Sequence, residues 1–64
     1  MHPSTLMSVN NLGGLLYDMG KHDEALPLLE RALKGLGETL GKTHPSTLTS
    51  VNNLGMLLKD LGKH

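Results

Sequence analysis

The sequence predicts an all-α fold of three amphipathic helices joined by short turns, and three observations carry that reading. Leucine dominates the apolar residues while Tyr17 is the one aromatic, a composition that suits helices better than sheets. Apolar residues recur at intervals of three and four, the spacing of one helix face. The chain also repeats itself. Sliding it by 42 places aligns residues 2–22 with 44–64, and "HPSTLMSVNNLG" (2–13) returns as "HPSTLTSVNNLG" (44–55). Of the 21 aligned pairs 17 are identical, the differences being Met7/Thr49, Gly14/Met56, Tyr17/Lys59 and Met19/Leu61.

The first helix is predicted from Pro3 to Met19, on a stripe of Leu6, Val9, Leu12, Leu16 and Met19. Pro3 suits a first turn, where its missing N–H has no intrahelical partner, and Gly20-Lys21 is a stop. The second helix is predicted to start at Asp23, a good N-cap with Glu24 behind it to complement the dipole, and to run to Leu40. Its stripe is Ala25, Leu29, Ala32, Leu33, Leu36 and Leu40, widened by Leu26 and Leu28 until the helix touches neighbours on two sides. Pro27 falls in or just past the first turn. Gly35 and Gly37 each cost roughly 1 kcal/mol relative to Ala, so the last turns are expected to fray or bend. "GKTHP" (41–45) breaks the chain, and the first helix returns from Pro45 to Leu61. Short turns make adjacent helices antiparallel.

Composition excludes several functions. Six basic residues balance six acidic ones, which favours neither nucleic acid nor an anionic membrane, and a membrane-surface helix lacks its basic face. Cysteine is absent, so disulfides and thiolate metal sites are out. Apolar runs stop at two or three residues, against the ~20 of a membrane span. "MHPSTLMS" lacks the start of a secretory signal, so a cytoplasmic location is the expectation. The four histidines are two positions written twice, His2/His44 at helix starts and His22/His64 at turns, without the i, i+4 or Cys/His geometry of a metal site. No nucleophile elbow or phosphate loop is present. The chain is therefore expected to be no enzyme and to carry no cofactor and no metal.

A two-helix unit repeated in tandem belongs to a solenoid. "SVNNLGGLLYDMGKHDEALPLLERALKGLGETLGKTHPST" resembles the tetratricopeptide repeat in its long, 42-residue form, as found in kinesin light chains and nephrocystin. Leu12-Gly13, Leu16, Gly20, Ala25, Leu29 and Ala32 match the family's spaced small and large positions. The resemblance implies one full repeat at 2–43 and the first half of a second at 44–64, an antiparallel helix-turn-helix solenoid fragment in a single unit. It further implies a protein-binding groove lined by the first helix of each repeat. Position by position, that groove takes Met7, Asn10, Asn11, Gly14, Tyr17 and Asp18, with Thr49, Asn52, Asn53, Met56, Lys59 and Asp60 in the second copy. Three of the four differences between the copies fall in this set. Side-chain amides both donate and accept, so the "NN" pairs suit the backbone of an extended peptide; the alternative is that Asn10, Asn11, Asn52 and Asn53 merely bond neighbouring turns or water.

One and a half repeats leave the stack unfinished. The closing helix is expected to expose part of Leu48, Val51, Leu54, Leu57, Leu58 and Leu61, a surface that self-association covers, by helix exchange hinged at "KGLGETLGKTHP" or by end-to-end stacking. A homo-oligomer, in the first instance a dimer, is the expectation. Two readings of function follow: a scaffold module whose groove binds a protein or peptide in a longer array, or a purely structural self-assembling fragment, designed or excised, as the ending "LGKH" in mid-repeat suggests.

Overall fold

A computed structural model describes residues 2–62, with three helices: α1 (Pro3–Asp18), α2 (His22–Thr39) and α3 (Pro45–Asp60). Strands are absent from the described residues. His64 lies outside them.

The two repeated helices begin the same way. His2 and His44 are extended residues at the N-cap, and each Nδ1 accepts the backbone N–H two residues on, Ser4 and Ser46, at 3.1 Å. A ring nitrogen thus takes the place of the usual Ser, Thr, Asp or Asn oxygen, and the proline that follows has no N–H to satisfy. They also end alike. Gly20 (φ +80°) and Gly62 (φ +74°) occupy the left-handed region just past the cap. After α1 the Gly20 N–H donates to the Tyr17 carbonyl and the Lys21 N–H to that of Leu16, the paired bonds of a Schellman turn.

In α2 the start departs from expectation. Asp23 is not the cap: the helix opens at His22, and Lys21 caps it with no side-chain bond. Asp23 and Glu24 instead sit in the first turn, where their charge still meets the positive end of the dipole. The expected fraying at Gly35 and Gly37 is also absent. The helix runs unbroken to Thr39, and the Leu40 N–H donates to the Leu36 carbonyl at 2.8 Å. The reason lies in packing, because a Cβ added to Gly35 would stand 2.6 Å from Leu6 Cδ2. Gly35 is where α1 enters α2.

Contact pairs fix the directions. Leu6 meets Gly35, Gly13 meets Leu29 and Tyr17 meets His22, so α1 and α2 are antiparallel. Asn10 bonds to Ser50 and Tyr17 to Asp60, so α3 returns alongside α1 in the same direction. The helix α2 packs on both, and Ala25, Leu29 and Leu57 form a buried centre ringed by Leu16, Tyr17, Leu26, Leu54 and Leu61. The predicted stripe of α1 is only partly its packed face. Leu6, Asn10 and Gly13 are buried, whereas Leu12 and Met19 are exposed. A helix meant to touch neighbours on two sides carries apolar residues for both, and here one side is open.

Candidate functional site

Between α1 and α3 runs a cleft of about 350 Å³. Small and polar residues make it. Gly14 gives α1 no side chain at the point nearest α3, where an added Cβ would lie 4.0 Å from Asn53 Nδ2. Below, Asn10 and Ser50 hold the helices together through a polar contact instead of bulky side chains: Ser50 Oγ donates to Asn10 Oδ1 at 2.8 Å, and Asn53 Nδ2 donates to the same oxygen at 3.5 Å. Asn10 is fully buried, and its own Nδ2 has no partner.

Seven of the twelve residues predicted for a groove line this cleft: Asn10, Asn11, Gly14, Tyr17, Asp18, Asn53 and Met56. Leu15 and Leu29 line it as well, and sequence reasoning missed both. Leu15 lies off the stripe that marks α1, and Leu29 belongs to the helix behind. The other five predicted residues are placed elsewhere. Met7 is half-buried, Thr49 Oγ1 bonds back to the Pro45 carbonyl, Asn52 Nδ2 reaches Met56 Sδ at 3.7 Å, Lys59 is exposed, and Asp60 is taken up by Tyr17.

That last contact closes one end of the cleft. The Tyr17 hydroxyl donates to Asp60 Oδ2, the His22 ring lies 5.0 Å from the Tyr17 ring, and His22 Nε2 is 3.6 Å from the same carboxylate oxygen. One residue from each helix thus meets at a single point. The phenol's hydrogen bond holds Asp60 below the usual carboxylate range, with His22 and Lys59 acting in the same direction against desolvation. Donating to Asp60 pushes Tyr17 up from its ordinary value, and burial and the nearby Asp60 and Asp18 charges add to the effect.

Chemically the cleft offers side-chain amides, a phenol, one carboxylate and the apolar surfaces of Leu15, Leu29 and Met56. The amides can both donate and accept hydrogen bonds, and the apolar surfaces can be buried by whatever occupies the cleft. A family model for the tetratricopeptide repeat matches residues 4–64. The chain belongs to the tetratricopeptide repeat family. Repeats of this family are protein-interaction modules and are typically not catalysts. No curated protein and no solved structure matches the chain.

The open end of this tetratricopeptide unit is narrower than expected. Leu48 and Val51 are exposed, and Leu54, Leu58 and Leu61 are half-buried. Leu57, expected on the same surface, is fully buried against Ala25 and Leu29. It points the other way because α3, like α1, has two packing sides. Among the described residues no cluster of His, Cys, Asp or Glu has the makings of a metal site, and no helix is long and apolar enough to cross a membrane.

Proposed function

We propose that this chain is a non-catalytic protein-interaction module, a unit of the 42-residue form of the repeat, whose cleft between α1 and α3 binds an extended peptide segment and whose open α3 face associates with a further molecule. One observation carries the cleft reading. Asn10, Asn11 and Asn53 converge on it, and the Asn10 amide nitrogen is buried without a partner. Buried polar groups are nearly always bonded, so an unpaired donor on the wall of a cleft is a place for a ligand's carbonyl. Apolar walls at Leu15 and Met56 supply the affinity that amide bonds alone do not.

The test is capture of a peptide library by the chain, repeated with Asn11→Ala and Asn53→Ala. Capture is expected to fall while helicity by circular dichroism stays intact. Capture unchanged in both variants overturns the cleft reading.

A second reading, a self-assembling unit that dimerises to complete its stack, is favoured by the exposure of Leu48 and Val51. Sedimentation equilibrium at micromolar concentration separates the two. A mass of twice the chain supports homodimerisation, and a cooperatively melting monomer removes it.

A further inference from the structure

The cleft between α1 and α3 has an electrical direction. Asn10 supplies a buried amide donor without a partner. The end at Tyr17 is built from acceptors. Asp18 lines the cleft there and makes no ion pair with another described residue. Asp60 stands beside it, in contact with the Tyr17 hydroxyl. That hydroxyl commits its one proton to Asp60, so what remains to it is an oxygen lone pair. Both carboxylate charges act on the Tyr17 hydroxyl, which sets two negative charges around one ring. No Lys, Arg or His is among the described residues that line the cleft, and Lys59 and His22, which act on Asp60, lie outside the lining. The whole chain is neutral, so this polarity is local.

The spacing along α1 adds a second constraint. Asp18 follows Asn10 by eight residues, about 12 Å along a helix, and Gly14 lies midway, about 6 Å from each. An extended chain advances about 3.3 Å per residue and turns every second side chain to the same face. Two of its residues therefore span the step from Asp18 to Gly14. At Gly14 α1 has no side chain, and Leu15 and Met56 offer apolar surface to the same cleft.

We infer that the cleft selects a basic peptide: an extended segment whose arginine or lysine seats at Asp18, Tyr17 and Asp60, with an apolar residue two positions away over Gly14 and, beyond it, a backbone carbonyl on the Asn10 amide nitrogen. The inference rests on the reading of the cleft as a peptide site and names the chemistry of what enters it. Arginine suits the corner better than lysine, since its planar fork donates to a carboxylate and a phenol oxygen at once. An acidic peptide meets like charges there.

The experiment captures three capped nonapeptide libraries on the immobilised intact chain and reads them by mass spectrometry. The libraries are identical except for a fixed central residue: arginine, its neutral near-isostere citrulline, or glutamate. Arginine is expected to be enriched about threefold or more over citrulline, the yield of an ion pair open to water, with glutamate lowest and the preference eroded by salt. Captured arginine peptides are expected to carry an apolar residue two positions from the centre. Asp18→Asn is expected to erase the difference between arginine and citrulline. It should melt no lower than the parent chain, because a negative charge in the last turn of a helix opposes the dipole. Capture that Asn53→Ala weakens but that shows no preference for arginine, or a preference that Asp18→Asn leaves whole, overturns the inference and leaves the cleft reading standing. No capture of any library, or capture indifferent to Asn53→Ala, overturns the cleft reading and the inference with it.

Discussion

Two helices of nearly the same sequence, α1 and α3, bury opposite sides. Leu6 is 1% exposed and its counterpart Leu48 is 51% exposed; Leu15 is 55% exposed and its counterpart Leu57 is fully buried. The same inversion runs through Asn10 and Asn52, Gly13 and Gly55, Thr5 and Thr47, Ser8 and Ser50, where one member of each pair is buried and the other is exposed. Sequence cannot cause this, since every one of those pairs is identical. Position in the stack causes it. The side of α1 with Leu6, Asn10 and Gly13 faces the helices that follow it, and the side of α3 with Thr47, Ser50 and Leu57 faces the helices that precede it. Each repeated helix is built with a forward and a backward surface, and this chain uses one of each.

Paired substitutions therefore break the symmetry of the sequence and expose that of the stack. The largest contrast is expected at Leu6 and Leu48. Leu6→Ala removes a fully packed side chain and should cost about 2–5 kcal/mol, whereas Leu48→Ala should cost well under about 1 kcal/mol, both read as shifts in a urea or thermal midpoint. Equal losses would mean that α3 is covered in solution. Next come Gly13 and Gly55. Gly13→Ala forces Leu29, itself fully buried, out of place, and should cost about 1–3 kcal/mol. Gly55→Ala should instead stabilise by up to about 1 kcal/mol through helix propensity. Opposite signs from one substitution made at two copies is the sharpest form of the comparison.

A smaller contrast is expected at the asparagines. Asn10→Ala strips Ser50 of its acceptor in a buried setting and should cost about 1–2 kcal/mol, against almost nothing for Asn52→Ala on the exposed side. The smallest concerns the Tyr17–Asp60 contact, which the second copy cannot repeat because Lys59 replaces the tyrosine. Asp60 titrates below its ordinary 3.8 in the folded chain, so its contribution is present above that value and fades as pH falls through the lowered one. Tyr17 titrates above its ordinary 10.0, so its contribution is present below that value and fades as pH climbs through the raised one. Tyr17→Phe should accordingly cost most near neutral pH, where both contributions are present, and least at the acid and alkaline extremes, where they have already faded, in melts recorded across the range.

The three helices, their order and their antiparallel turns were legible because Pro3, Gly20, Gly41 and Pro45 punctuate the chain and the internal repeat doubles every signal. Which residues make the contacts was not. The apolar stripe marks Leu6, which is buried, together with Leu12 and Met19, which are exposed, while the other close contacts run through Gly13, Asn10 and Gly35, residues that are small or polar and leave no trace in an apolar period. Gly35 read as a weak point of its helix and is instead the place of closest approach. The histidine caps escaped for a similar reason: imidazole is an uncommon cap, and the repeated "HPS" gains its meaning only from the ring nitrogen's bond to the third residue. The cleft was partly legible, since the family resemblance named seven of its residues, but it placed neither Leu15 nor Leu29 in a groove lined by the first helix of each repeat.

Tyr17 has one more consequence. With no tryptophan or phenylalanine in the chain, near-ultraviolet light is absorbed and re-emitted by a single ring, and that ring stands where the three segments converge, its hydroxyl bound to a carboxylate that dims phenol emission. The molecule carries its own lamp, placed so that a ligand entering beside it, or the final segment lifting away, changes the brightness without any label attached.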